Sequence, residues 1–210
     1  MDRRGRGRSG DGPEYDLLRE AEDVAAVVEA INEPTFVLGH SYGALCSLEA
    51  VRFTDKISKL VLYEPPIPTG QPTFPQVLTD EIQSLVDQGE NEAALEVMMR
   101  KVVKMPDHEY VQYRELPVWK TRIAIAPTIP REMKTNRTHQ FDAEAFTHVQ
   151  VPTMFLMGGD SPEFFHDAIK IANEVLPNST IVTMPGEQHI AMDTNPDLFI
   201  HKTVSFLLEK

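Results

Sequence analysis

From Glu14 to Ile31 the apolar positions Leu17, Ala21, Val24, Val28 and Ile31 advance in steps of three and four, the spacing of one helix face, and Asn32 and Pro34 stop it. Thr35 to Leu38 is a short apolar, β-rich run ending at Gly39. Such a run predicts a strand buried on both faces, as in a parallel sheet. Helical spacing restarts with Ala44, Leu45, Leu48 and Val51, and Lys59 to Tyr63 predicts a second buried strand. The order helix, strand, helix, strand is that of a βαβ protein.

Five of the sixteen prolines then fall between Pro65 and Pro75, a density that forbids a regular helix or central strand and ends the alternation. The next stretch reads as helical: Leu78, Ile82, Leu85 and Val86 share a face that stops at Gly89, and Leu95, Met98, Met99 and Val102 run up to Pro106. Short segments over 110–119 and 123–133 are punctuated by prolines 117, 127 and 130. Alternation resumes with a strand over 153–157, a helix through Phe165, Ile169, Ala172 and Leu176, a strand over 180–184, and a closing helix from Pro196 to Leu208. The expected division is therefore a core of residues 1–65 and 147–210 interrupted by a helical insertion over 66–146. The fold class is α/β, a mostly parallel sheet with helices on both faces.

Composition narrows the functions. With 41% hydrophobic and 25% charged residues the chain is built to fold. Its 32 acidic against 20 basic residues, a net charge of −12, disfavour nucleic acid and anionic lipid as partners. No window has the apolar length of a membrane span, and MDRRGRGRSGDG lacks the apolar stretch of a signal peptide, so the expected location is cytoplasmic. The single cysteine, Cys46, sits in an apolar helical pattern and reads as core filler. Arg3, Arg4, Arg6 and Arg8 among glycines read, taken alone, as a loop or basic tail.

The chemistry centres on Gly39-His40-Ser41-Tyr42-Gly43, a G-x-S-x-G pattern standing between a predicted strand and a predicted helix. There a sharp turn exposes the serine hydroxyl, with glycines at both flanks allowing strand and helix to approach. The helix beginning after Ser41 aims its N–H groups at an oxyanion formed there, the Tyr42 N–H first. A serine needs a base. Of seven histidines, His189 in Pro185-Gly186-Glu187-Gln188-His189 directly follows a predicted strand, and parallel strands bring that loop to the edge occupied by Ser41. His40 is too close in sequence to face Ser41 and is expected to line the pocket. His108, His139, His148, His166 and His201 are expected at the surface or in the insertion, and none has the spacing of a zinc site. The base needs a carboxylate to set its tautomer. Two positions follow strands: Asp160, favoured, in Gly158-Gly159-Asp160-Ser161-Pro162, and Glu64, the alternative, in Tyr63-Glu64-Pro65-Pro66.

Asp2-Arg3-Arg4-Gly5-Arg6-Gly7-Arg8-Ser9, Gly39-His40-Ser41-Tyr42-Gly43-Ala44, Tyr63-Glu64-Pro65-Pro66 and the His189 loop, in that order, resemble the alpha/beta hydrolase superfamily, and within it small-molecule esterases with a helical cap. The resemblance implies a Ser41, acid and His189 triad, no cofactor, and a small ester as substrate; the histidine spacing assigns no metal. In the family's usual pattern the acid lies one residue further along, where Ser161 stands, which keeps Glu64 in contention. The resemblance also implies that the family's N-terminal strands are missing from these residues, Met1 standing about where its fourth strand ends, which leaves the strand over 35–38 as an exposed edge through which the chain would associate or aggregate. Esterase chemistry is thus the leading expectation. A catalytically crippled fragment or a non-enzymatic small-molecule binding protein of the same fold is the alternative, with Met98, Met99, Met105, Trp119 and Met133 as its apolar surface.

Overall fold

A computed structural model describes residues 1–70 and 74–209. The chain divides into two compact units: Leu17–Gln71 with His139–Lys210, and Met1–Asp16 with Pro72–Thr138.

The first unit is built on four parallel strands in the order β1 (Thr35–His40), β2 (Ile57–Tyr63), β3 (Thr153–Gly158) and β4 (Ser179–Met184). One face of the sheet is covered by α1 (Leu17–Ile31), α2 (Tyr42–Ala50) and α8 (Glu163–Val175), whose Leu17, Val28, Leu45, Leu48 and Ile169 join Leu60, Leu62 and Phe155 in a single apolar cluster. On the other face Val61, Tyr63, Met154 and Leu156 meet Ala191 of the short α9 (Ala191–Thr194) and Leu198, Phe199 and Phe206 of α10 (Pro196–Leu208). Helices therefore flank a parallel sheet on both faces, as the alternation predicts. The Asn195 side chain caps α10 by accepting the Leu198 N–H at 3.3 Å, with Pro196 in the first helical position, where its missing N–H costs nothing.

The burial of the strands differs from the expectation of uniformly buried strands. β2 and β3 are buried almost throughout, but β1 and β4 are edges. In β1 Phe36 and Leu38 remain 48% and 43% exposed on the face shared with Lys59 and Val61. An apolar run reports that a strand is β-rich; its place in the sheet decides whether both faces are covered.

The second unit is helical: α3 (Gln76–Asp87), α4 (Asn91–Val97) continued by a π-turn over Met98–Val102, α5 (Asp107–Glu115), α6 (Val118–Ile125) and α7 (Ile129–Thr138). Gly89, at φ 78°, ends α3 in the left-handed conformation that glycine adopts without penalty. Trp119 is buried edge-on to Tyr110 and Tyr113, each 5.7 Å away. Met105 and Met133 are core as well.

Three segments fall on the other side of the expected boundaries, the first being 66–71, which joins the sheet unit. Residues 1–16 belong with the helical unit because their arginines are ion-paired there: Arg3 Nη2 lies 2.7 Å from Glu132 Oε1, Arg6 bonds the same oxygen, and Arg131 Nη1 reaches Asp11 at 2.6 Å. Residues 139–146 belong with the sheet unit, where Phe146 is fully buried in the core cluster. His139 and His166 are half-buried. His139 Nε2 lies 3.0 Å from Oε1 of the fully buried Glu49, and His166 Nε2 donates to the Gly158 carbonyl at 2.9 Å. Short segments between prolines carry too little periodicity to reveal such partners.

Candidate active site

The site lies wholly within the sheet unit, and strand register builds it. His40 pairs with Tyr63 and Tyr63 with Leu156, while Gly158 pairs with Met184. The residues after β1, β2, β3 and β4 therefore emerge along one edge. Of the non-glycine residues described, four have positive φ, and two of these end adjacent strands: Ser41 at φ 55°, ψ −128°, and Glu64 at φ 46°. Each costs backbone energy on the order of 1–3 kcal/mol, held by the surrounding hydrogen bonds. The Ser41 N–H donates to Tyr63 O at 2.8 Å, and the Glu64 N–H donates to Leu156 O at 3.2 Å.

Ser41 stands between β1 and α2, and its carbonyl accepts from Ala44 and Leu45 N–H, closing the first turn of the helix. Gly39 is needed for this: a Cβ there would lie 2.5 Å from Ala44 Cα and 2.7 Å from Gly43 O. Gly43 is not needed in the same way, since a Cβ on it meets no described atom within 4 Å. Of the two glycines expected to permit the turn, sterics require only the first.

His189 is buried, and its ring is fixed from three sides. Nδ1 lies 2.6 Å from Glu64 Oε2, Phe165 stacks on it at 4.5 Å with 16° between planes, and His40 packs on it at 4.6 Å. Glu64 is fully buried, and its other oxygen accepts the Gly158 N–H at 2.7 Å. A carboxylate on Nδ1 holds the proton there and leaves Nε2 with its lone pair, the form that can accept a proton. The structure thus brings Glu64, not Asp160, to the imidazole. Asp160 is exposed, and its contribution to the loop is a backbone N–H donated to Glu187 O at 3.0 Å. Both acids follow interior strands; Glu64 directly follows Tyr63 with its side chain fully buried, whereas Asp160 stands on the loop after β3 with its side chain exposed. Gly158 lets the His189 loop come close, because a Cβ there would lie 2.6 Å from Glu187 O and 2.8 Å from Gln188 Cα.

Tyr42 opens α2 and is buried, so its N–H belongs to the turn beside Ser41. His40 is half-buried between Tyr63, at 5.1 Å, and His189. Two residues escape sequence reasoning, Phe165 and Tyr63, since a buried aromatic on a helix or strand carries no sign that it touches a polar ring. Among the described residues no group of three or more histidines, cysteines or acids could hold a metal ion. No described helix is long and apolar enough to cross a membrane.

Residues 1–202 match the alpha/beta hydrolase family. The chain belongs to the alpha/beta hydrolase family. Among solved structures this hydrolase is similar to an alpha/beta hydrolase from Sphaerobacter thermophilus, with 30% identity and a TM-score of 0.80 over 98% of this chain and 80% of that one. An esterase from Exiguobacterium antarcticum superposes with a TM-score of 0.76 at 18% identity, over 99% of this chain and 80% of that one, a likeness of fold. So does a bromoperoxidase from Bacillus anthracis, with a TM-score of 0.73 at 19% identity over 99% and 80% of the two chains. No curated protein matches the chain.

Proposed function

We propose that this alpha/beta hydrolase is a serine hydrolase that cleaves a small carboxylic ester through an acyl-enzyme. The observation that carries the reading is one edge of one sheet holding Ser41 in a positive-φ turn beside a buried His189 whose Nδ1 is 2.6 Å from Glu64. His189 Nε2 takes the Ser41 proton as Oγ adds to the ester carbonyl, then returns it to the departing alkoxide. Water repeats the cycle on the acyl-enzyme, releasing the acid and restoring the serine. The Tyr42 N–H, at the positive end of α2, is a donor to the oxyanion. Glu64 holds the proton on Nδ1 and stabilises the imidazolium that forms at His189. Asp160, exposed, is left outside the triad.

The test is labelling by a fluorophosphonate probe together with turnover of short-chain p-nitrophenyl esters. Ser41→Ala and His189→Ala should each remove at least about 10³-fold of turnover, and the double variant no more than either alone, as members of one unit do. A loss below tenfold for either variant, or unlabelled wild-type protein, would favour a non-catalytic binding protein instead.

A further inference from the structure

The loop carrying His189 has no regular structure of its own, yet the imidazole it presents must hold one orientation through a cycle in which it gains and loses a proton. Glu64 and Phe165 fix the ring, but neither fixes the backbone from which the ring is hung. Next to the ring, two side chains on strands β1 and β2 hold that backbone. The Tyr63 hydroxyl donates to Gln188 O and accepts the Ala191 N–H at 3.0 Å, so it bridges the chain on both sides of His189. The His40 Nε2–H donates to the His189 carbonyl itself, at 2.8 Å. Tyr63 is fully buried, and His40 and Tyr63 are register partners, so the two groups rise side by side from the same level of the sheet.

We infer that Tyr63 and His40 are positioning residues that clamp the main chain of residues 188–191 onto the strand ends and so aim His189 Nε2. The inference rests on the proposed triad, in which His189 is the base. The clamp joins both partners of the reaction mechanically. His40 immediately precedes Ser41, and the Ser41 N–H is bonded to the Tyr63 carbonyl, so nucleophile and base are referenced to the same two residues. Small misplacement of a reacting group costs turnover far more than it costs folding, on the order of 10² per ångström. Both residues act through His189, since their hydrogen bonds go to the main chain of residues 188–191.

Tyr63→Phe removes the hydroxyl and keeps the ring; His40→Phe keeps a ring without a donor; His40→Gln restores a donor. With p-nitrophenyl acetate, Tyr63→Phe is expected to lower kcat roughly ten- to a hundredfold with little change in KM. His40→Phe is expected to do the same to a smaller extent, and His40→Gln to recover part of the loss. An activity-independent measurement accompanies them: the downfield proton NMR resonance of the His189 Nδ1–H, present in wild type, should broaden or vanish in Tyr63→Phe and His40→Phe while the amide spectrum stays folded. A resonance that survives unchanged in both variants overturns the clamp whatever the activity. So does a kcat within about twofold of wild type for both, given that aiming a catalytic group is what the clamp is for. If wild-type protein neither reacts with the probe nor turns over the ester but still loses the resonance on Tyr63→Phe, the clamp stands and the hydrolase reading fails.

Discussion

Two buried glutamates, one in each unit, are handled differently. In the helical unit Glu132 faces two guanidinium groups, Arg3 and Arg6, with the Thr128 hydroxyl 3.1 Å away. In the sheet unit Glu64 faces one backbone N–H and one imidazole. The first carboxylate is compensated by permanent cations, so its surroundings are the same at every moment and its work is to tie the segment 1–16 to α7. The second faces an imidazole, a side chain that exists in neutral and cationic forms. In the proposed mechanism a carboxylate so placed stabilises the imidazolium that forms at His189. Burial alone does not separate the two carboxylates; the fixed or changeable charge of the partner does.

The largest effect that sharpens this contrast comes from exchanging acids for amides in the sheet unit. Glu64→Gln is expected to cut kcat/KM for an ester by roughly 10²–10⁴-fold. If the amide oxygen accepts the Gly158 N–H, its NH₂ faces His189 Nδ1 and drives the imidazole proton to Nε2, the atom that must accept from Ser41. Asp160→Asn should leave kcat/KM nearly unchanged. The reverse ranking would move the acid to the loop after β3 and dissolve the comparison.

Next in size is Glu132→Gln, which leaves two arginines facing an amide in a mostly buried site. Losing one partner of such a network should destabilise the helical unit by about 3 kcal/mol, read as a fall in the urea midpoint of Trp119 fluorescence. The rate of Ser41 labelling in the folded protein should not follow. A labelling rate that falls in step with stability would show that Glu132 serves the reaction too.

The smallest effect concerns Glu92. The Trp119 indole N–H first, and Arg114 second, hold its carboxyl below the ordinary value of 4.5. A folded pKa below the unfolded one gives stability that is present above pH 4.5 and lost as pH falls through the lowered value. Because Glu92 is solvent-exposed, the loss is slight. In acid titration Glu92→Gln should flatten a small part of the change in Trp119 fluorescence, and an unaltered titration curve would remove Glu92 as its source.

The sequence by itself determined the order of helices and strands, because periods of 3.6 and 2 are local properties of the chain. It also determined the elbow at Ser41, because a glycine-flanked serine between strand and helix needs only its neighbours. The placement of His189 on the same edge came from parallel strands alone. The choice between Asp160 and Glu64 was decided only by the tertiary structure. Both come after strands, and nothing local tells which carboxylate turns inward; the register of β2 against β3 and the close approach allowed at Gly158 bring Glu64 to an imidazole 125 residues away. The same holds for Tyr63, which reads as one more buried aromatic in a strand until Gln188 and Ala191 come within reach of its hydroxyl. Arg3 and Arg6 read as a basic tail until α7 sets Glu132 between them. Hydrophobic pattern is encoded by spacing along the chain, whereas a hydrogen bond of 2.6 Å depends on where distant segments meet, and that is fixed only when the sheet forms.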